Sequence, residues 1–296
     1  MTHPTIRGSL VALVTPFHED GSVNFEKLAE LIDFHIENHT DALVILGTTG
    51  ESSTMSHEED DAVCEFTVKR VAGRIPVIAG SGSNSTATML EKSLSYERLG
   101  ADGLLLITPY YNKTNEEGMY EHFKTVADAV KIPCILYNVP GRTGCSISVA
   151  NVERLSKHPN IVGIKEASGN MSYAAKVAKY LSDDFVMYSG NDDMIVPLLS
   201  IGASGVISVL ANIAPQETHD MVMDYLEGRV DEARRAQIEL LDVINDLFIE
   251  VNPVPVKEAM NLIGMNVGGY RLPLAPMTDA HREQLRKSLA AADFLE

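Results

Sequence analysis

Signals for export, membrane insertion and disulfide bonding are absent from this sequence of 296 residues. Its three cysteines show no CxxC spacing, which indicates reduced thiols. The apolar run Leu10–Val14 is too short to cross a bilayer, and no basic segment followed by a cleavable apolar core marks a signal peptide. Together these absences predict a cytoplasmic protein without a membrane partner.

Positive charge is also scarce. The chain has 24 lysines and arginines against 41 aspartates and glutamates, so its formal net charge is −17. Such an acidic chain is a poor partner for nucleic acid or for an anionic membrane surface. Any anionic substrate must therefore be bound by a local cationic pocket.

Motifs for common cofactors are missing as well. There is no P-loop and no GxGxxG after a strand-like run, which argues against nucleotide cofactors. The nine histidines are scattered, and no cluster of His, Cys and Asp has metal-ligand spacing. We therefore expect neither a cofactor nor a metal ion.

The sequence does contain a repeated pattern of eight short apolar runs. They begin near Leu10, Leu43, Val77, Leu104, Ile135, Val162, Val186 and Val206. The runs are continuous rather than alternating, as in strands that are buried on both faces of a parallel sheet. Amphipathic stretches of helical period lie between them. Eight such units predict an α/β fold, the closed (β/α)₈ TIM barrel.

The chain beyond the eighth run has a different pattern. No strand-like run follows Asn212, and residues 231–247 form the clearest helical stretch. There is no flexible linker between the two parts. We predict a catalytic barrel over residues 1–211 and a C-terminal helical extension over residues 212–296 that packs on the barrel.

Capping signals predict where three helices begin. Ser56 and Thr114 are each followed by a glutamate three residues later, the pattern of a capping box, and Thr278 precedes the last helical stretch. We expect the hydroxyl of each residue to accept a hydrogen bond from the first turn of its helix.

Active sites of TIM barrels lie at the C-terminal ends of the strands, which selects candidate residues without reference to any motif. The segments after strands two, four, five, six and seven are Gly47–Glu51, Thr108–Asn112, Tyr137–Gly144, Lys165–Glu166 and Ser189–Asp192. Each contains polar side chains, so groups from five strands are expected to converge on one opening.

Lys165 ends an apolar strand directly with an amine. A lysine in water has a pKa of about 10.4 and is almost fully protonated at neutral pH, whereas burial disfavours the ammonium form. A free amine can attack a carbonyl group and form a Schiff base. The alternative is a lysine that merely marks where the strand reaches water. Lys113, in a loop on the same face, is a weaker rival.

Neighbouring segments supply groups that suit this chemistry. Tyr137 can carry a proton through its hydroxyl, unless it is only an aromatic lid. Thr48 and Thr49 offer hydroxyl and backbone N–H groups to a carboxylate, with a glycine-bracketed turn as the alternative interpretation. Arg142 suits bidentate binding of a carboxylate, with a surface ion pair as its alternative.

Four segments are similar to motifs of the dihydrodipicolinate synthase family, a member of the pyruvate-dependent class I aldolases that include N-acetylneuraminate lyase. They are Gly47–Glu51, Tyr110–Asn112, Tyr137–Gly144 and Gly163–Ala167. The resemblance extends from about Gly8 to Thr278. The lysine and tyrosine motifs are shared by the larger group, whereas the threonine pair and the arginine after Val-Pro-Gly are more particular to the synthase.

The resemblance implies a reaction between pyruvate and aspartate-4-semialdehyde that yields 4-hydroxy-tetrahydrodipicolinate, a precursor of lysine and diaminopimelate. Lys165 would form the Schiff base with pyruvate, and Thr49 would hold the pyruvate carboxylate. Arg142 would hold the carboxylate of the semialdehyde. Gly190 and Ile207 match positions that line the pyruvate pocket.

A proton relay is a further part of the resemblance. It would join Tyr137 to Thr48 and to Tyr111, with Tyr111 coming from a neighbouring subunit. The active site would then require at least a dimer, and tetramers are usual in the family.

Two other functions stay open. Another pyruvate-dependent aldolase, acting on a sugar acid or a hydroxy-oxo acid, is distinguished by whether Arg142 faces a short carboxylate. A catalytically silent barrel that binds a metabolite is expected to lack the lysine, the tyrosine or the threonines. All of these residues are present, so the silent barrel is disfavoured.

The resemblance to an allosteric lysine site is incomplete. His57, Asn84 and Tyr110 match it, whereas Asp60 and Thr88 stand where lysine-inhibited members have a histidine and a glutamate. Because the glutamate that would pair the ammonium of the effector is missing, we predict weak or absent inhibition by lysine, although Asp60 could substitute. Activity assays over a millimolar lysine series test this, and strong, saturable inhibition would contradict it.

Overall fold

The strands close into a barrel in which every neighbouring pair is parallel. The computed structural model describes residue 3 and residues 5–295. The strands are β1 (Gly8–Ala12), β2 (Ala42–Ile45), β3 (Val77–Gly80), β4 (Gly103–Ile107), β5 (Cys134–Asn138), β6 (Ile161–Glu166), β7 (Val186–Ser189) and β8 (Gly205–Ser208). Each predicted run begins within two residues of an observed strand, and the predicted fold class is confirmed.

Burial on both faces explains why the strands have continuous apolar sequences. Alternate residues face opposite sides of the sheet: Leu10 lies in the cluster inside the barrel, and Val11 lies in the cluster between the barrel and the helices. The inner cluster includes two tyrosines: Tyr137 lies near the C-terminal end of β5, whereas Tyr188 points the other way, because its hydroxyl donates to the carbonyl of Ile6 before β1. The barrel therefore has a filled interior with polar groups at one end.

Helices surround the barrel and continue beyond it. They are α1 (Phe25–Glu37), α2 (His57–Val71), α3 (Thr86–Leu99), α4 (Glu116–Ala129), α5 (Pro140–Thr143), α6 (Val149–Leu155), α7 (Met171–Val177), α8 (Ile195–Leu199), α9 (Pro215–Leu226), α10 (Val230–Glu239), α11 (Leu241–Asp246), α12 (Val254–Leu262) and α13 (Asp279–Ala291). Helix α9 follows β8 and packs against β1 and β8, so it covers the outside of the barrel where the first and last strands meet. The division at residues 211 and 212 stays a prediction, and α9 lies on its C-terminal side.

One of the two predicted capping boxes is present. The hydroxyl of Ser56 accepts from the N–H of Glu59, and the Glu59 carboxylate accepts from the N–H of Ser56. The prediction for Thr114 was wrong. Asn115 caps α4 instead, because its side-chain oxygen accepts from the N–H of Gly118 at 2.8 Å.

The C-terminal helices match the sequence pattern in part. Thr278 caps α13, where its hydroxyl accepts from the N–H of His281. The single helix predicted over residues 231–247 is wrong, because the chain forms α10 and α11 with a break at Leu240. The ψ angle of Leu240 is −1°, well away from the helical value.

A buried ion pair joins the C-terminal helices to the loop after β2. The ammonium of Lys257 on α12 lies 2.6 Å from the carboxylate of Glu51, and both side chains are at most 1% exposed. The main-chain N–H of Arg271 donates to the same carboxylate. Removing one partner would leave the other charge buried and uncompensated, which typically costs about 3–5 kcal/mol.

All three cysteines are free thiols, and Cys64 and Cys134 are buried. Within residue 3 and residues 5–295, no helix combines the length and apolar character needed to cross a membrane.

Candidate active site

Lys165 faces the interior of the barrel because of a bulge in β6. Cys134 of β5 pairs with Ile161, but the next residue, Ile135, pairs with Gly163, so β6 contains one extra residue. A one-residue shift exchanges the two faces of a strand. Val162 faces inward before the shift, and Lys165 faces inward after it. Without the extra residue the amine would point toward the surrounding helices.

Glycine residues leave room for this arrangement. A Cβ atom on Gly163, at the bulge, would lie 2.7 Å from the carbonyl oxygen of Val186. A Cβ atom on Gly190, after β7, would lie 3.1 Å from Cε of Lys165 and 2.6 Å from Cβ of Ala167. Both positions therefore require glycine if Lys165 is to keep its place.

Burial in the barrel changes the chemistry of the Lys165 amine. Its side chain is only 6% exposed. Burial lowers the pKa of Lys165 to about 8; Asp192 opposes this shift, and the positive charge of Arg142 adds to it. A useful fraction of the amine is therefore unprotonated near neutral pH.

Tyr137 lies directly beside Lys165. The two residues are register partners on β5 and β6, and Nζ of Lys165 lies 4.5 Å from the centre of the tyrosine ring. Burial raises the pKa of Tyr137, while Arg142 and a hydrogen bond with Thr48 lower it. The phenol therefore keeps its proton at neutral pH and is connected through Thr48 to the loop after β2.

The loop after β2 holds Thr48 and Thr49 in a fixed turn. The N–H of Gly50 donates to the carbonyl of Gly47, and the hydroxyl of Thr15 donates to the carbonyl of Gly50. Thr49 is buried, and its hydroxyl oxygen accepts a hydrogen bond from the side-chain amide of Asn252 at 2.9 Å. This loop can present hydroxyl and N–H groups to an anion.

Arg142 approaches from a short helical turn after β5. Pro140 begins this turn, α5, and Gly144 ends it in the left-handed conformation with φ of +70°. The guanidinium is exposed and donates to the main-chain carbonyl of Asn252 at 3.4 Å. It therefore lies at the edge of the site with most of its donors free for a ligand.

These side chains surround a cavity of about 150 Å³. Its lining includes Lys165, Tyr137, Thr48, Thr49, Arg142, Gly190 and Asn252. The volume is below the roughly 300–1,000 Å³ of sites for drug-sized ligands, so it suits a small molecule. No aspartate or glutamate occurs among its described lining residues, in spite of the acidic composition of the chain. The cavity is therefore a local cationic pocket.

Other predicted residues lie outside this cavity. Ile207 is fully buried in the cluster inside the barrel. Tyr111 is 91% exposed and has a φ of +67°. The rival lysine, Lys113, is exposed and does not line the cavity.

Comparison with known proteins identifies the family. Residues 5–292 match the Dihydrodipicolinate synthetase family. The chain belongs to this family. A curated relative, the 4-hydroxy-tetrahydrodipicolinate synthase of Caldicellulosiruptor saccharolyticus, is 57% identical over 286 residues, which are 97% of each chain.

Solved structures of dihydrodipicolinate synthases have the same fold. The enzyme from Aquifex aeolicus superimposes with a TM-score of 0.95 at 45% identity, over 97% of this chain and 98% of the other. The enzyme from Acinetobacter baumannii, solved in complex with pyruvate, superimposes with a TM-score of 0.96 at 43% identity, over 98% of this chain and 100% of the other.

In this member of the dihydrodipicolinate synthetase family, a second cavity of about 510 Å³ adjoins the first. Tyr137, Thr48 and Arg142 line both cavities. The second extends to His57 and Tyr110, two of the residues predicted for an allosteric site.

Of the other positions compared with the allosteric site, two line the second cavity and one does not. Asn84 does not line the second cavity, and its carbonyl accepts from the side chain of Asn112. Asp60 and Thr88 do line it. Asp60 forms a 2.8 Å ion pair with Lys92, whose ammonium also donates to the hydroxyl of Ser52.

Sequence reasoning missed two residues that line these cavities, Lys92 and Asn252, and one charge partner of Lys165 outside their lining, Asp192. Asp192 lies in a segment that the barrel rule selects, but nothing marks it as a charge partner of Lys165. Lys92 follows Thr88 by four residues and so shares its helix face, which is a signal that local sequence does contain. Asn252 lies in the C-terminal region and has no local signal.

The pH dependence of Lys165 follows from its surroundings. We expect its rate of alkylation by a small aldehyde with cyanoborohydride to rise with pH through a midpoint near 8, the pKa of the buried amine. Peptide mass spectrometry measures this rate, and the exposed Lys131 serves as the comparison lysine. Asp192→Asn should lower the midpoint and Arg142→Gln should raise it, because the carboxylate stabilises the ammonium and the guanidinium destabilises it. A midpoint near the ordinary 10.5, unmoved by both variants, would contradict the assignment.

Proposed function

We propose that this protein is a 4-hydroxy-tetrahydrodipicolinate synthase that condenses pyruvate with aspartate-4-semialdehyde through a Schiff base on Lys165. The observation that carries the proposal is a buried amine of lowered pKa at the end of a small cationic cavity. The 57% identity to a synthase over nearly the whole chain supports the same reaction.

The chemistry begins at the amine. Unprotonated Lys165 attacks the keto carbon of pyruvate, and loss of water gives an imine. Loss of a proton from the methyl carbon gives an enamine, which forms a carbon–carbon bond with the aldehyde carbon of the semialdehyde. The amino group of the semialdehyde then attacks the imine carbon, closes the ring and displaces Lys165. The amine leaves unchanged, ready for another pyruvate.

The other residues take roles that suit their positions. Tyr137, held protonated by burial, exchanges protons with the nitrogen of Lys165 and with oxygen leaving groups. The hydrogen bond to Thr48 connects Tyr137 to the loop after β2. Thr49 and its neighbouring N–H groups hold the pyruvate carboxylate. Gly190 leaves space beside the Lys165 chain, and Ile207 closes the apolar interior near the site.

Arg142 is the group that selects the second substrate. It and Lys165 are the two cations among the described lining residues of the small cavity, and Lys165 is used for pyruvate. A guanidinium at the edge of the cavity suits a short substrate with its own carboxylate. An aldolase for a sugar acid is the alternative, and a coupled assay that compares aspartate-4-semialdehyde with sugar aldehydes distinguishes the two.

Trapping the intermediate tests the mechanism directly. Incubation with pyruvate followed by borohydride should add the reduced pyruvate adduct to Lys165, because the imine is the species that borohydride reduces. Peptide mass spectrometry locates the adduct, and Lys165→Ala should prevent it. Lys113→Ala is the matched control, since this lysine lies outside the cavity, and it should leave the adduct intact. An adduct on any other lysine, or none, would overturn the mechanism.

We also propose that the enzyme acts as a homo-oligomer. The relay requires at least a dimer, and the family resemblance indicates a tetramer. Tyr111 supports this, because a tyrosine that is 91% exposed in a left-handed backbone conformation is an unfavourable arrangement for an isolated subunit. Its loop follows β4 at the same end of the barrel as Lys165. A neighbouring subunit could therefore receive the Tyr111 hydroxyl near its own Thr48.

Turnover and assembly together test this relay. Tyr111→Phe should lower kcat by about 10²–10⁴-fold, the usual contribution of a positioned proton carrier, while borohydride still traps pyruvate at high concentration. Sedimentation velocity should show a dimer or larger for both forms. A fully active monomer, or a Tyr111→Phe variant with normal kcat, would refute the relay.

Weak inhibition by lysine stays a prediction, and the ion pair between Asp60 and Lys92 supports it. The ammonium of Lys92 already neutralises the one carboxylate among the described lining residues of the larger cavity. A free lysine would have to compete with a charge that belongs to the chain. A cytoplasmic location likewise stays a prediction of the sequence.

A further inference from the structure

Asn252 belongs to the wall of the small cavity, although it lies in the C-terminal region, between α11 and α12. Its side chain is 5% exposed, and it lines the cavity together with Lys165, Thr49 and Arg142. Neither the strand-end rule nor the family motifs selected it. It is the point at which the helical extension contacts the groups expected to bind substrate carboxylates.

The hydrogen bond between Asn252 and Thr49 has a direction. Nδ2 of Asn252 lies 2.9 Å from Oγ1 of Thr49, and both groups are buried. An amide nitrogen only donates, so the threonine oxygen is the acceptor and its own proton is left over. Within the described residues that proton has no acceptor in the protein. The Thr49 O–H is therefore free to donate into the cavity.

A second contact comes from the main chain of the same residue. The carbonyl oxygen of Asn252 accepts from Nη2 of Arg142 at 3.4 Å. Asn252 thus contacts the two side chains proposed to hold the two carboxylates. The remaining amide atom, Oδ1, is buried and has no partner in the described part of the chain. The bond to Thr49 is accordingly the one hydrogen bond that the side-chain amide makes there.

We propose that Asn252 is a positioning residue that sets Thr49 as a hydrogen-bond donor to the pyruvate carboxylate. This inference rests on the proposed function. By supplying a donor to Oγ1, the amide prevents the hydroxyl from turning its proton away from the ligand. The C-terminal region is thereby part of the pyruvate site and not only a cover for the barrel.

Variants of Asn252 test this proposal through the dependence of the reaction rate on pyruvate concentration. Asn252→Ala should raise KM for pyruvate by about tenfold, the upper range for one neutral hydrogen bond, and should change kcat and the KM for the semialdehyde much less. Asn252→Asp should raise KM for pyruvate further, because an oxygen replaces the donor and adds negative charge beside the carboxylate. An Asp variant with wild-type KM would show that the amide oxygen faces Thr49 and would overturn the proposal.

A double-variant cycle separates positioning from general damage to the structure. Thr49→Val removes the hydroxyl and keeps the shape, so Asn252→Ala should add little to the KM of Thr49→Val. Independent, multiplying effects would overturn the proposal. Asn261→Ala is the matched control: the side chain of Asn261 also bonds main chain in this region, at Gly268 and Val267, but it lies outside the cavity. It should leave KM for pyruvate unchanged.

Trapping with borohydride distinguishes failure of the proposed function from failure of the proposed role of Asn252. Wild-type protein that forms no pyruvate adduct on Lys165 would overturn the proposed function and this inference together. Wild-type protein that forms the adduct, combined with an Asn252→Ala variant whose adduct has the same half-saturating pyruvate concentration, would overturn the role of Asn252 alone. Circular dichroism and thermal unfolding confirm that the compared variants are folded.

Discussion

The exclusion of water from Lys165 is the constraint on which the rest of the site depends. Burial lowers the pKa of this amine and raises the pKa of Tyr137 beside it, so the same environment prepares a nucleophile and keeps a proton donor. Both effects require the closed barrel, whose interior is filled by apolar side chains. They also require the bulge in β6, which turns the amine inward.

Local charge and overall charge have opposite signs in this protein. The chain carries a formal net charge of −17, yet the small cavity is lined by Lys165 and Arg142 without a described acidic neighbour at its surface. Short-range interactions in a buried site outweigh distant surface charges, which solvent and salt screen. Asp192 is the carboxylate whose negative charge opposes the lowered pKa of Lys165; it is buried and accepts hydrogen bonds from the main-chain N–H groups of Val209 and Leu210.

Much of the fold and the site was predictable because the signals are local and repeated. A barrel strand must be apolar on both faces, so each of the eight runs is visible in the sequence, and each strand end selects a polar segment. Helix ends were less certain. Thr114 and Asn115 both have side chains that cap helices well, and the helix begins after Asn115. The break at Leu240 has no Gly or Pro to mark it.

The sequence by itself determined the barrel, the strands that carry Lys165 and Tyr137 and the segments after strands that carry Thr49 and Arg142, because these depend on patterns within a few residues. The tertiary structure alone decided which atoms meet. Asn252 reaches Thr49 across 203 positions of the chain, and Lys92 reaches Asp60 from the next helix. Contacts between residues so far apart depend on how whole elements pack, and no local pattern contains that information.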